Sequence, residues 1–283
     1  MGFRQSAEDP NLYLQPGVLL VLYVDDLLIT YNGTEAWGHQ INQLLQKKYK
    51  ICDLGVAKRF LGIEIERTED GGFRICQRGY NNTIIRHFGL MEAKPPKSPL
   101  DPQTDLANTY CEDKLANHKE YLSMVGLLMN AVLRSHPDIA FSVTALSRYN
   151  VQPLEMHITA AKRVLLYLKS TSEFRIHYQR LPSHIQCYDT PINIIGYTDS
   201  DWAGNLTTGK SVGRYVFGLG YTNFSQELVM SGLIHWQAKS QSVVAVSTLE
   251  VEYIACLYAT RESLWLKRMH QEKKNRVLSV RTH

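Results

Sequence analysis

Fourteen residues near the start, Val18–Tyr31, read VLLVLYVDDLLITY: two apolar runs interrupted only by Asp25 and Asp26. Few structures accommodate such a stretch. Val18–Val24 gives seven apolar residues before the first charge, whereas a bilayer span needs about 20. Runs rich in Val, Ile, Leu and Tyr favour strands, and a short acidic break between two strands belongs at a turn. The stretch therefore reads as a β-hairpin with Asp25 and Asp26 at or beside its turn. Adjacent carboxylates beside buried strands are expensive unless a positive partner stands there. A divalent cation is the natural one, because hard Mg²⁺ prefers carboxylate oxygens. Turns are also rich in Asp for purely structural reasons. The apolar runs on both sides argue against a plain acidic surface turn.

The pattern then alternates between strand and helix. Thr34 is placed to cap a helix in which Trp37, Ile41, Leu44 and Leu45 recur at helical spacing. RFLGIEIE (59–66) and GFRICQ (72–77) predict a second hairpin across Asp70-Gly71-Gly72. Residues 80–89 read as a short helix, and the prolines at 95, 96, 99 and 102 mark a loop or linker. A helix from Lys119 carries Tyr121, Val125, Leu128 and Val132 on one face, and Pro137 ends it or begins the next. Another covers about 154–169 through Ile158, Ala161, Leu165 and Leu168, and LPSHIQCYDTP (181–191) is a second boundary. INIIGYTDSDWAG (192–204) predicts a buried strand ending in acids, followed by strands at 213–220 and 235–247 and a helix over Glu250–Met269. At 44% hydrophobic and 20% charged over 283 residues, the chain can bury a core and is long enough for two domains.

A second acidic group stands in Tyr197-Thr198-Asp199-Ser200-Asp201-Trp202. The two-residue period of a strand puts Asp199 and Asp201 on one face. Glu252 falls on a helix that could pack against that strand. Carboxylates drawn from different elements suit a two-metal site for phosphoryl chemistry. Asp201 alone reads equally well as a cap or turn residue. Asp199, Asp201 and Gly204 also match calcium-loop positions one, three and six, but position twelve is Lys210 instead of Glu, so that reading fails. P-loop, dinucleotide-binding and HExxH patterns are absent. The ten histidines are scattered at no ligand spacing and read as core-satisfied or solvated. Five cysteines, odd in number and without a CxxC, suggest reduced thiols in an intracellular protein. Residues 1–20 lack a signal-peptide layout, so secretion is not expected. Residues 261–283 carry seven basic and two acidic side chains, net +5 against +4 for the whole chain. Such a run suits nucleic-acid phosphates, or is simply a solvated helix end.

Eight segments in order resemble the Pol polyprotein of Ty1/copia-type long-terminal-repeat retrotransposons. They are GFRQSAEDPNLYL (2–14), LLVLYVDDLLI (19–29), DLGVAKRFLGIEIER (53–67), SPLDP (98–102), HPDIAFSVTALSRY (136–149), AAKRVLLYLKST (160–171), YTDSDWAG (197–204) and VSTLEVEYIA (246–255). The resemblance implies an α+β fold in three parts. Residues 1–92 would be the C-terminal half of a reverse-transcriptase palm with a primer-grip-like hairpin. Residues 93–182 would be a mainly helical thumb and connection, and 183–283 the start of an RNase H-like α/β domain. It implies RNA-directed DNA synthesis and hydrolysis of RNA in a hybrid, by two-metal chemistry with Mg²⁺, or Mn²⁺ in its place. Asp25, Asp26, Asp199 and Glu252 would be catalytic metal ligands. Phe60, Leu61 and Gly62 would grip the primer, and Lys267, Arg268, Lys273 and Lys274 would meet phosphates. The partners implied are a template–primer and an RNA–DNA hybrid, with no membrane. The setting implied is cytoplasmic, in virus-like particles, or nuclear.

The family pattern also calls for a further aspartate in each site. Upstream of Asp25 stand only Glu8 and Asp9, and after Glu262 only Glu272. TNFSQELVMSG (222–232) resembles an insertion between two strands of the RNase H-like part. The expectation is that each carboxylate set is incomplete in this chain, and that it gives little polymerase or RNase H activity by itself. A non-catalytic nucleic-acid-binding relic, or a domesticated retrotransposon protein, is the alternative.

Overall fold

Strand alternation shapes the N-terminal sheet. The computed structural model describes residues 2–32, 35–101, 103–107, 114–180, 193–202, 204, 208–222 and 226–277, with the backbone alone for 35–36 and 273–277. β1 (Arg4–Gln5), β2 (Leu12–Gln15), β3 (Val18–Tyr23) and β4 (Asp26–Tyr31) form an antiparallel sheet in chain order. Pro16-Gly17 makes the β2–β3 turn, with Gly17 at φ 72°. That is a type II pattern: proline fixes the first central residue and glycine accepts positive φ at the second. Val18 and Leu20 point into the core, where Ile41 and Leu45 of α1 (Glu35–Lys48) meet them, with Trp37 half-buried beside them. Of the predicted stripe of Trp37, Ile41, Leu44 and Leu45, the core thus takes 37, 41 and 45. Leu44, a position earlier, turns outward and is 51% exposed. Thr34 lies outside the described residues.

The chain divides into two compact units. One comprises Met1–Leu61 with Arg261–His283, and the other Gly62–Thr260. Within the first, Ser6 donates to Glu272 at 2.6 Å, and Trp265 Nε1 donates to the Glu8 carbonyl at 3.3 Å. The short strand β5 (Arg59–Phe60) closes its N-terminal part.

In the second unit, β6 (Ile63–Arg67) and β7 (Phe73–Cys76) form the second predicted hairpin. Its first strand starts later than the apolar pattern suggested, because Leu61 and Gly62 adopt φ of 50° and 80° and interrupt the extended run. α2 (Arg78–His87), α3 (His118–Arg134), α4 (Ala140–Ser147) and α5 (Glu155–Ser170) pack around one core. Both predicted stripes face it: Tyr121, Val125, Leu128 and Val132 from α3, and Ile158, Ala161, Leu165 and Leu168 from α5. The Asn117 side chain caps α3 by accepting from the Glu120 amide. Pro137 does begin the next helix, through a single 3₁₀ turn (Pro137–Ile139) into α4. His157 opens α5: its Nδ1 accepts the Leu154 amide at 2.9 Å, and its Nε2 donates to the Leu106 carbonyl at 3.0 Å.

β8 (Ile176–Tyr178) pairs with β7. β9 (Asn193–Ser200), β10 (Val212–Thr222) and β11 (Leu228–Ser240) form an antiparallel sheet in the order β11-β10-β9. β11 differs from expectation. It begins at Leu228, so residues 228–232 of the presumed insertion are strand, paired with the far end of β10. It ends at Ser240, and 241–247 is bent chain leading to α6 (Thr248–Val277). Two register shifts opposite Phe217/Gly218 and Leu219/Gly220 kink β11, as bulges do. At the kink it meets β8: the Ser231 hydroxyl donates to the Gln179 carbonyl at 3.2 Å, and the Tyr178 hydroxyl to the Leu233 carbonyl. Further along, Trp236 Nε1 donates to the Val132 carbonyl at 2.7 Å, so this sheet shares packing with the helices. The first half of α6 buries Val251 and Ala255 against β10, where a Cβ on Gly213 would stand 3.4 Å from that of Ala255. Among the described residues no helix is long and apolar enough to cross a membrane. The 181–191 boundary, Cys111 and Cys187 lie outside the described residues, and Cys52, Cys76 and Cys256 are free thiols.

Candidate functional site

Tyr23 and Asp26 are directly paired, so Val24 and Asp25 alone make the β3–β4 turn. Val24 has φ 53° and Asp25 does not share the positive φ. Positive φ at the first central residue alone marks a type II′ turn, where glycine is the usual occupant. A β-branched residue there is strained. The strain comes with exposure. Val24 is 79% exposed, and Asp25 and Asp26 project from the tip with no ion partner among the described residues. The expectation of buried strands on both sides of the acids holds only at the far end, where Val18 and Leu20 are buried. Residues 22–26 are exposed, so the geometry presents two adjacent carboxylates at a solvent-facing tip.

The second acidic group is arranged differently. Asp199 lies on β9 directly opposite Arg214 of β10, and Arg214 Nη2 stands 3.0 Å from Asp199 Oδ2. Asp201 serves the backbone. Its carboxylate accepts the Val212 amide, while its own amide donates to the Val212 carbonyl at 3.2 Å. It thereby closes the β9–β10 connection. Gly204 lies close beside it, and a Cβ there, 2.1 Å from Asp201 Oδ2, would push the carboxylate aside. At the start of α6, Ser247 Oγ accepts the Glu250 amide at 3.2 Å, and the Glu250 carboxylate accepts the Val246 amide at 2.8 Å. Glu250 is therefore occupied in starting the helix. Glu252 is exposed and holds no ion pair with a described residue.

Magnesium calls for several hard oxygen ligands. Carboxylates are donors of the right kind, but their grouping falls short. Among the described residues no three His, Cys, Asp or Glu side chains are clustered to hold a metal ion. Asp25 and Asp26 stand together, whereas Asp199 and Glu252 belong to the other compact unit and are not joined into such a cluster.

The remaining candidates scatter. Phe60 and Leu61 are half-buried. Gly62 has open space where a Cβ would be, so its φ of 80° is what calls for glycine, and not crowding by the protein. Lys267 is exposed, whereas Arg268 Nε is engaged by both oxygens of Glu8 at 3.0 Å. The side chains of Lys273 and Lys274 lie outside the described residues. Two features escaped the sequence reading. One is Arg214, which no motif marked; its signal was the strand register that sets it opposite Asp199. The other is the partner set of His136, a histidine read only as core-satisfied or solvated: it bridges Asn81 (2.8 Å) and Asp138 (3.2 Å). His136 is buried and partnered through both ring nitrogens, as core-satisfied histidines are.

The sequence model of the reverse transcriptase (RNA-dependent DNA polymerase) family matches residues 1–102. The retrovirus-related Pol polyprotein from transposon TNT 1-94 of Nicotiana tabacum is 34% identical over 282 residues, 95% of this chain and 20% of that protein. The corresponding polyprotein from transposon RE1 of Arabidopsis thaliana is 30% identical over 94% of this chain and 17% of its own length. The uncharacterized mitochondrial protein AtMg00810 of Arabidopsis thaliana is 29% identical, over 87% of this chain and 93% of that protein. No solved structure matches the chain. The chain spans about a fifth of the length of the Pol polyproteins it matches. Residues 1–102 thus match the reverse transcriptase (RNA-dependent DNA polymerase) family, and most of the chain is similar to retrovirus-related Pol polyproteins of transposons.

Proposed function

We propose that the chain is the part of a retrotransposon reverse transcriptase that presents the palm carboxylates, followed by a helical connection and an RNase H-like region. Residues 1–92, 93–182 and 183–283 take these three parts. The single observation that carries the reading is the Tyr23–Asp26 hairpin. A tight, strained turn holds two adjacent carboxylates at the exposed end of a hairpin anchored in the core by Val18 and Leu20, inside the residues that match the reverse-transcriptase family. The β9–β10–β11 meander followed by α6, with Asp199 on β9, supports the third part.

In this reading Asp25 and Asp26 supply hard oxygens toward Mg²⁺ at the primer end. A divalent ion held by these carboxylates would supply activation of the attacking oxygen and charge stabilisation on the leaving one. The described carboxylates do not make a full ligand set by themselves. Phe60, Leu61 and Gly62 stand as primer-strand contacts and Lys267 as a phosphate contact. The substrates are a template–primer and an RNA–DNA hybrid.

The test is primer extension on an RNA template. The enzyme is the tobacco relative's polyprotein with its matching segment replaced by this chain. We expect Mg²⁺-dependent extension that falls at least about a hundredfold in Asp25→Asn, the scale of losing a group that acts only in the transition state. Extension that survives Asp25→Asn undiminished would overturn the assignment.

A further inference from the structure

The cation facing Asp199 is part of the protein. Strand register puts Arg214 directly across from Asp199, and its Nη2 lies 3.0 Å from the carboxylate. A helix holds the guanidinium from another side, with its carbon 5.2 Å from the centroid of the Phe141 ring on α4. The backbone is fixed as well, since the Thr198 hydroxyl donates to the Arg214 carbonyl at 3.0 Å. Arginine keeps its charge throughout the accessible pH range and forms planar pairs with carboxylates. A divalent ion at the same oxygen would meet a like charge a few ångströms away.

From this we infer that Arg214 is a resident counter-charge that competes with a divalent cation for Asp199, so that metal binds at β9 only when the guanidinium is displaced. The inference rests on the reading of Asp199 as a metal ligand. It departs from the usual picture of such a carboxylate as a standing vacancy for the ion. Displacement sacrifices an exposed ion pair and a ring-face contact. Together these correspond to a weakening of metal affinity by about three- to thirtyfold. Asp25 and Asp26 have no such resident partner among the described residues. The two carboxylate groups should therefore differ in metal affinity even with equal numbers of ligands.

Calorimetric titration of the whole chain with Mn²⁺ tests this without any activity assay. Arg214→Ala should tighten Mn²⁺ binding by about three- to thirtyfold, and Arg214→Gln, which keeps most of the volume, should do the same. Arg214→Lys keeps the charge and should bind as weakly as the parent. The gain should vanish in Arg214→Ala/Asp199→Asn. Neutral variants that bind no more tightly than the parent, while Asp199→Asn weakens binding, would overturn the competition and leave the metal-ligand reading standing. A gain that survives Asp199→Asn would overturn both. A thermal melt of each variant keeps unfolding separate from these outcomes, and the glutamine and lysine variants carry the test should the alanine variant fail to fold.

Discussion

Two glycines in the second unit have opposite reasons for being there. Gly126 lies in the interior of α3 with nothing within 4 Å of the position its Cβ would take. Gly126→Ala removes backbone freedom from the unfolded chain and introduces no clash, so it should stabilise by about 0.5–1 kcal/mol. Gly232 sits where β11 meets β8. A Cβ there would stand 2.5 Å from Tyr178 Cδ1 and 2.9 Å from the His177 carbonyl oxygen. The ring could rotate away, but the carbonyl belongs to a paired strand and cannot. Gly232→Ala should cost about 1–3 kcal/mol as overpacking. Urea midpoints of the two variants should move in opposite directions, and a shared direction would contradict the packing described.

At the scale of elements, α5 depends on one imidazole. His157 is fully buried, stacks on Tyr149 with centroids 3.9 Å apart, and satisfies Leu154 N–H and the Leu106 carbonyl through its two nitrogens. His157→Phe preserves the stacking and removes both hydrogen bonds. It should destabilise by about 2 kcal/mol, the cost of leaving such groups unpaired. A phenylalanine variant as stable as the parent would show that stacking alone matters. The β8–β11 junction makes a pH prediction. Burial pushes the Tyr178 hydroxyl up to about 12. The unfolded chain then releases this proton near pH 10, while the folded chain keeps it. Stability from this group is complete below pH 10 and is lost as pH rises from 10 toward 12. Burial pushes Tyr167 the same way, also to about 12. Urea midpoints at pH 8, 10 and 11 should therefore fall, and Tyr178→Phe should flatten the fall without removing it. A flat parent profile would contradict the burial of these hydroxyls.

At the scale of the whole molecule, the sequence revealed whatever has a short period and left hidden what depends on distant register. The hairpin around Asp25 and the α3 and α5 stripes were legible because alternation and helical spacing write burial directly into order. α4 was legible only at its start, through Pro137 as one of two readings: Ala140, Val143, Ala145 and Leu146 bury so much of its circumference that no apolar stripe marks the rest of it. The β8–β11 junction and the Asp199–Arg214 pair depend on which residues face each other across strands, and no local pattern encodes that. Charge was legible as a total but not as availability. The basic run after residue 260 reads as one patch, yet Arg268 is engaged by Glu8 while Lys267 is exposed. If Lys267 meets a phosphate of an RNA–DNA hybrid, Lys267→Gln should lower the slope of log affinity against log salt by about 0.9, one counterion's share. Arg268→Gln should leave that slope unchanged, because its guanidinium is already committed within the protein. Fluorescence anisotropy of a labelled hybrid between 50 and 200 mM salt, roughly the range over which such contacts are resolved, separates the two. Equal losses of slope would mean that nucleic acid draws Arg268 off Glu8, and that the basic run acts as a single patch after all.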